Sequence, residues 1–223
     1  MSKPRIKRFS ERVVQVDPLH PSLKLLTQAA DLIHRGGIVA FPTETYYGLG
    51  ADALNPEAIE RIYTIKGRDR DKPILILVES SDRMNALVKP FPPMVERLMA
   101  DFWPGPLTIL FQANDRLPIG LTAGTGKIGI RVPSHPVARA LLSAVGAPLT
   151  GTSANRAGGR SPQTAEEVQS SIGRELDLVL DAGPTPGEKP STVLDCTSSP
   201  FRIVREGIVA RETLEAVVGK IKG

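Results

Sequence analysis

Cysteine, histidine and aromatic residues are scarce in this sequence, and each scarcity argues against a class of protein. Cys196 is the single cysteine, so no intramolecular disulfide can form, and its strand-like setting STVLDCT predicts a buried structural thiol. The three histidines, His20, His34 and His135, fall at no metal-ligand spacing, and we expect no zinc site. Aromatic residues make up 4% of the chain, which leaves few platforms on which single-stranded nucleic acid could stack.

Long apolar runs and linkers are also missing. No run of about 18 apolar residues that could span a bilayer is present, and the basic leader at residues 1–10 lacks the apolar segment of a signal peptide. We therefore expect a cytoplasmic protein without a membrane partner. Because no repeat, low-complexity tract or linker divides the rest, residues 11–223 are predicted to form a single domain. The net charge of +4 suggests an anionic partner, with nucleotide and RNA both open, although the leader itself is basic.

Local patterns predict mixed strands and helices. Asn55 as N-cap and Gly67 as stop delimit one helix, and a capping box of Thr164 and Glu167 opens another. The run PILILV at residues 73–78 is nearly all apolar, which is typical of a strand buried on both faces. Strand and helix patterns alternate without strict repetition, so we expect an α/β or α+β fold with one large mixed sheet. Other predicted strands are RVVQV, IVAF, PLTILFQ, KIGIRV, APLTGTS, DLVLD, STVLD and RIVRE, and other predicted helices cover 22–34, 93–102, 136–145 and the stretch from 211.

Two stretches of the sequence resemble familiar catalytic motifs without matching them. GTSAN, at residues 151–155, ends in Asn155 where the nucleophile elbow of serine hydrolases needs glycine, and no well-placed histidine follows. AGTGKIG looks like a phosphate loop, yet Leu121 occupies the position of the first Walker A glycine. Ile128 follows Lys127 where a serine or threonine would bind magnesium, and a strand follows instead of a helix. A serine hydrolase is therefore disfavoured, and a P-loop NTPase is excluded.

Polar residues gather at the ends of predicted elements. Each has a plain structural explanation when taken alone: Lys66 suits a helix C-terminus, and Ser153 with Asn155 suits a turn. Taken together they indicate a ligand site, because open sheets bind ligands in loops that follow the carboxyl ends of strands. The residues concerned are Thr43, Glu44, Thr45, Lys66, Arg68, Ser153, Asn155, Ser191 and Arg205.

Eight ordered motifs closely resemble the YrdC/Sua5 family over almost the whole chain. They are PTETYYGL, KGR, PGPLTILF, IGIRVP, TSAN, SPQTA, PSTVLD and IVREG. The resemblance implies an L-threonylcarbamoyladenylate synthase, which makes threonylcarbamoyl-AMP and pyrophosphate from L-threonine, bicarbonate or CO2, and ATP. This reaction is the first step towards N6-threonylcarbamoyladenosine in tRNA. The resemblance further implies an α/β fold whose twisted, largely mixed β-sheet and flanking helices surround a positively charged cavity.

The resemblance also assigns roles to single residues. It implies catalytic roles for Lys66 and Arg68 at the nucleotide phosphates, and magnesium carried by ATP instead of a metal site on the protein. The threonine contacts that it implies are Thr43, Lys72, Arg131 and Ser191. The ATP contacts that it implies are Lys66, Arg68, Lys127, Ser153, Asn155, Ser161 and Arg205.

Two departures and one alternative accompany this resemblance. Asp69 and Glu206 stand where members of the family often have proline, and both add negative charge near the expected phosphate sites. The chain resembles the short form of the family. The alternative is an RNA-binding paralogue, like the YciO branch, without the synthase role. RNA or tRNA and downstream threonylcarbamoyl-transfer proteins are the further partners that the resemblance implies.

Overall fold

The structure, a computed structural model, describes residues 12–222, so the leader predicted at residues 1–10 lies outside the described residues. Eleven strands and seven α-helices are seen in this part of the chain. The strands are β1 (Val13–Gln15), β2 (Val39–Phe41), β3 (Gly48–Gly50), β4 (Ile76–Leu77), β5 (Leu107–Gln112), β6 (Lys127–Arg131), β7 (Leu149–Thr150), β8 (Thr152–Ser153), β9 (Leu178–Asp181), β10 (Thr192–Asp195) and β11 (Arg202–Arg205). The helices are α1 (Leu23–His34), α2 (Pro56–Lys66), α3 (Met94–Phe102), α4 (Ile119–Thr122), α5 (Pro136–Val145), α6 (Ala165–Ile172) and α7 (Arg211–Val218).

The strands form two mixed sheets. Sheet A has the order β1-β9-β2-β3-β8, and sheet B has the order β11-β10-β5-β6-β4-β7. Parallel pairs such as β1 with β9 occur beside antiparallel pairs such as β2 with β3. The predicted mixed α/β class is confirmed, and the strands divide between two mixed sheets of five and six strands.

The chain passes directly from one sheet to the other at Gly151. β7 pairs with β4 in sheet B, and β8 pairs with β3 in sheet A, so this glycine alone separates the two pairings. Its N–H donates to the Leu75 carbonyl at 2.9 Å. A Cβ at this position would lie 2.6 Å from Leu75 Cδ1 and 2.7 Å from Leu77 Cγ, so a side chain here would collide with the neighbouring strand. The predicted strand APLTGTS is therefore two short strands in different sheets.

Alternation of side chains along the strands separates the core from a second face of sheet B. In β5, Leu107, Ile109 and Phe111 are buried in the larger hydrophobic cluster, with side chains of α2, α3 and α7. Thr108 and Leu110 point to the opposite face, because successive strand residues project to opposite sides. A second cluster buries α1 and α5 against sheet A residues such as Val39 and Leu180. The face of β5 that carries Thr108 and Leu110 forms part of one wall of a cavity.

Local signals place most elements as predicted. Asn55 accepts hydrogen bonds from the N–H groups of Glu57 and Ala58, and Gly67 ends α2 in the left-handed region with a φ of 57°. Thr164 accepts from Glu167 N at 3.2 Å, which caps α6. The run PILILV forms a shorter strand than predicted, β4. Within residues 12–222 every helix is too short or too polar to cross a bilayer.

Candidate active site

A cavity of about 550 Å³ lies between the two sheets. Sheet A contributes the β2–β3 loop and β8, while sheet B contributes β5, β6, β10 and β11. Its volume is typical of pockets that hold small molecules. Seven of the eleven predicted site residues line it, although the longest separation between them in sequence exceeds half the chain. They are Thr43, Arg68, Arg131, Ser153, Ser161, Ser191 and Arg205.

Three arginines give this cavity its electrostatic character. Arg68, Arg131 and Arg205 line it, and within the described chain no aspartate or glutamate does. Partial desolvation lowers the pKa of the Arg205 guanidinium, and repulsion from Arg131 and Arg68 lowers it further. Arginine nevertheless stays protonated near neutral pH, so the three cations raise one another's energy when no ligand is bound. The arrangement favours ligands with several negative charges.

Arg131 is the most buried of these cations, at 3% exposure. Its Nη1 donates to Thr45 Oγ1 at 3.4 Å and lies 3.7 Å from Glu44 Oε1, and its Nε is buried without a hydrogen-bond partner among the described residues. Burial lowers the pKa of the guanidinium, and the Glu44 carboxylate opposes that shift. A buried guanidinium with an unused donor is costly unless a further acceptor arrives. Because Arg131 lines the cavity, an anionic ligand there would compensate the charge of the guanidinium.

The loop between β2 and β3 forms the hydroxyl-rich side of the cavity. Thr43 Oγ1 donates to the Tyr46 carbonyl at 2.7 Å and accepts from the N–H groups of Thr45 and Tyr46, so its side chain closes the turn. The Thr43 and Thr45 hydroxyls are 3.0 Å apart, and both residues line the cavity. The loop thus presents a fixed pair of hydroxyls beside Arg131.

Ser191 contacts both Thr108 of β5 and Arg205 of β11, the third cavity arginine. Arg205 donates from Nη2 to the Ser191 carbonyl at 2.8 Å and to its hydroxyl at 3.0 Å. Thr108 Oγ1 lies 2.9 Å from Ser191 Oγ, and both are almost fully buried. Thr108 was missed from the sequence, although the alternation of PLTILFQ puts Thr108 and Leu110 on one face of the strand. Thr45 was noted as a polar residue of its loop without an assigned role.

Lys66 lies beneath the cavity wall and is not among the lining residues. Its Nζ donates to the carbonyls of Ser153 at 2.5 Å and Asn155 at 2.7 Å, and Lys66 is 3% exposed. Asn155 is likewise turned inward, where its Oδ1 accepts from Ser153 Oγ at 2.6 Å and its Nδ2 donates to the Gly159 carbonyl. In this structure Lys66 and Asn155 shape the loop that carries Ser153. Their direct contact with phosphate stays a prediction, and the geometry favours an indirect role.

The burial of Lys66 predicts a specific dependence of stability on pH. Burial lowers the pKa of its amine to about 7, and repulsion from Arg68 adds to this effect. The unfolded chain binds more protons than the folded chain between that pKa and the ordinary value of 10.5. The stability that Lys66 contributes is therefore fully present above the unfolded pKa and declines as the pH falls towards 7.

We expect the unfolding free energy of the wild type relative to Lys66→Met to rise by at least about 1 kcal/mol between pH 7.5 and 10. Denaturant unfolding at several pH values measures this difference. Lys24→Met is the matched control, because Lys24 is an exposed lysine on α1. If the difference in unfolding free energy between the wild type and Lys66→Met did not change with pH, as expected for Lys24→Met, this result would contradict the lowered pKa.

The two remaining predicted lysines are not among the residues that line the cavity. Lys127 Nζ pairs with the buried Asp195 carboxylate at 2.8 Å, at the end of β6 opposite Arg131. Lys72 Nζ pairs with Asp69 at 2.6 Å, and both of these side chains are exposed. Asp69, one of the two departures from the family pattern, thus engages a residue that was expected to contact threonine. The geometry does not support a ligand contact for Lys127 or Lys72, and both assignments stay predictions.

The fold is mixed α/β, and a cavity lined by three arginines lies between its two sheets. The model of the Sua5/YciO/YrdC family, described as "Telomere recombination", matches residues 31–207. This chain belongs to that family, as its eight motifs predicted.

Individual relatives extend this comparison. "Threonylcarbamoyl-AMP synthase" of Bacillus subtilis is 39% identical over 206 residues, which cover 92% of this chain and 60% of that protein. The crystal structure of P. abyssi Sua5 complexed with L-threonine matches with a TM-score of 0.91 and 35% identity, over 94% of this chain and 62% of that one. E. coli YciO matches with a TM-score of 0.83 and 28% identity, over 91% and 98% of the two chains. The chain thus spans about three fifths of the length of the B. subtilis relative.

Proposed function

We propose that this protein is a threonylcarbamoyl-AMP synthase, a nucleotidyltransferase that uses L-threonine, bicarbonate or CO2, and ATP. The observation that carries the proposal is the cavity, in which three arginines meet without an acidic lining residue in the described chain. The names of its relatives support the same activity, since proteins 39% and 37% identical are called threonylcarbamoyl-AMP synthase and putative threonylcarbamoyl-AMP synthase. Its role would be the first step of N6-threonylcarbamoyladenosine formation in tRNA, in the cytoplasm.

The reaction explains why so many cations are needed. The neutral amine of threonine attacks CO2 and loses a proton, which gives a carbamate. A carbamate oxygen then attacks the α-phosphorus of ATP, the bond to the β-phosphate oxygen breaks, and pyrophosphate leaves. The carboxylate, the carbamate and the triphosphate are all anionic, so bringing them together in a partly dry cavity is unfavourable unless fixed cations lie there already.

In this proposal the two substrates occupy different parts of the cavity. We assign the threonine carboxylate to Arg131, with Thr43 and Ser191 beside it, because a guanidinium can bind both oxygens of a carboxylate. The nucleotide is assigned to Arg68, Ser153, Ser161 and Arg205. Arg205 contacts Ser191 directly, so the two binding regions adjoin, as attack of a carbamate on ATP requires.

Magnesium belongs to the substrate in this proposal. Hydroxyl-bearing, apolar and arginine side chains line the described cavity, and its lining lacks the carboxylates with which proteins usually hold this ion. The residues present therefore do not make a resident magnesium site. Mg2+ would enter with ATP, held by the phosphates and by water.

An assay that omits one substrate at a time tests the proposal. Pyrophosphate release should require threonine, bicarbonate and ATP together, and the nucleotide product should carry the threonylcarbamoyl group. RNA binding without this activity would instead favour the alternative of a YciO-like paralogue, for which the similarity to E. coli YciO is the specific observation. Binding of tRNA and product transfer to a downstream transferase would be tested separately.

Substrate choice gives a further prediction. If Thr43 and Ser191 enclose the threonine side chain, serine should react with a kcat/KM about 5 to 150 times lower, because a missing methyl group costs about 1 to 3 kcal/mol in a fitted pocket. Initial rates with each amino acid, at saturating ATP and bicarbonate, measure the ratio. Equal kcat/KM values would show that the side chain is not enclosed in this way.

A further inference from the structure

Glu44 lies behind the cavity, and its two carboxylate oxygens have different environments. Oε2 accepts from the backbone N–H of Ser134 at 3.1 Å. Oε1 lies 3.7 Å from Arg131 Nη1, and the Glu44 side chain is 14% exposed. Ser134 follows Arg131 by three residues, so one carboxylate holds both the arginine side chain and the backbone just beyond it.

The Glu44 oxygen nearest to Arg131, Oε1, indicates how the two side chains interact. Within residues 12–222, Oε1 is buried and makes no hydrogen bond, and the same holds for Arg131 Nε. A buried carboxylate oxygen without a donor is costly, so attraction to the nearby guanidinium is what compensates for it. At 3.7 Å this pair is looser than a hydrogen-bonded salt bridge. It therefore orients the guanidinium without using up its donors.

Glu44 also connects the two sheets. It belongs to the loop between β2 and β3 of sheet A, whereas Arg131 ends β6 of sheet B. The next residue, Thr45, accepts from the same Nη1 at 3.4 Å. Two consecutive loop residues therefore fix the arginine relative to the Thr43 side of the cavity.

We propose that Glu44 is a positioning residue that holds the Arg131 guanidinium in the orientation that receives the carboxylate of the amino-acid substrate. This inference rests on the proposed function in one respect, the assignment of L-threonine as the ligand. Glu44 acts through Arg131 and not on the reacting atoms, because it is not among the residues that line the cavity. A general-base role would require it to reach the substrate amine.

The variant Glu44→Gln separates charge from shape. Its amide oxygen can still accept from Ser134 N–H, while its NH2 group would meet the guanidinium, placing a donor against donors. We expect the Kd for L-threonine, measured by calorimetry, to rise about tenfold, and the Kd for ATP to stay within about twofold. Glu212→Gln is the matched control, because it makes the same chemical change at an exposed position on α7.

A second ligand distinguishes positioning from general damage to the fold. L-Threoninamide lacks the carboxylate, so the wild type should prefer threonine over it, and this preference should fall about tenfold in Glu44→Gln. Threonine binding by Glu44→Gln that is as tight as in the wild type, or tighter, would overturn the positioning role and leave the proposed function intact. Equal weakening of both ligands would overturn it too. Failure of the wild type to bind threonine would overturn the proposed function itself.

Discussion

Replacing Arg131 with methionine should raise the Kd for L-threonine by about 100-fold or more, while the Kd for ATP changes by less than about threefold. The guanidinium is almost fully buried and donates to the Thr45 hydroxyl, while its Nε has no hydrogen-bond partner among residues 12–222. Methionine fills similar space without a charge, so the substrate carboxylate would enter the cavity without its proposed counter-ion. Calorimetric titration with each substrate measures both constants.

The Glu44 carboxylate complicates this variant and supplies its control. In Arg131→Met alone, Glu44 would remain buried without its cation, and such broken pairs lose about 3 to 5 kcal/mol of stability. The double variant Arg131→Met, Glu44→Gln removes that charge and should regain stability without regaining threonine binding. If ATP binding were lost and threonine binding kept, Arg131 would belong to the nucleotide region of the cavity.

Arg68→Lys should lower the single-turnover rate of threonylcarbamoyl-AMP formation at saturating ATP by about tenfold or more, equivalent to at least about 1.4 kcal/mol. Arg68 donates from Nε to the Lys72 carbonyl at 3.2 Å and from Nη2 to the Pro73 carbonyl at 2.9 Å. A lysine keeps the charge but cannot reproduce this two-point contact. As charge moves onto the departing pyrophosphate, a cation held in place lowers the barrier more than one that is free to move.

The matched control for Arg68→Lys is Arg70→Lys. Arg70 belongs to the same loop, pairs with Glu60 and does not line the cavity. Its substitution should leave the rate within about twofold, because exposed ion pairs are weak. A similar rate loss in both variants would show that the loop as a whole matters and that the Arg68 guanidinium has no special role.

Elements with local signals were predictable from the sequence, as α2 illustrates. Its cap, its proline at the first position and its final glycine are all contained within thirteen residues, and the structure uses each of them. β3 was missed because Gly48, Leu49 and Gly50 have no strand propensity of their own. Its partners are β2 and the distant β8, so only the tertiary fold makes it a strand.

The candidate site was likewise predictable only in part. The motifs indicated which residues belong together, and seven of the predicted side chains do meet in one cavity. The motifs did not indicate where each side chain would point. Lys66 turns towards the carbonyls of Ser153 and Asn155, because α2 ends beneath the loop that carries these two residues. Thr108 was missed because a single hydroxyl in an apolar strand does not reveal a role in the sequence. Only the fold brings it next to its hydrogen-bond partner Ser191, which directly precedes β10. Such facts depend on packing between distant segments.

Because the chain passes from one sheet to the other at Gly151, the width of the cavity depends on how the whole domain packs. Gly151 lines the cavity and is also the covalent link between the strand ends of the two sheets. Side chains of both sheets pack in each of the two hydrophobic clusters, so the packing of these clusters sets the spacing between the walls that carry Thr43 and Ser191. A methylene gained or lost in either cluster, far from any ligand, would tilt one wall against the other. Substrate affinity should thus respond to core substitutions that leave every contact residue unchanged.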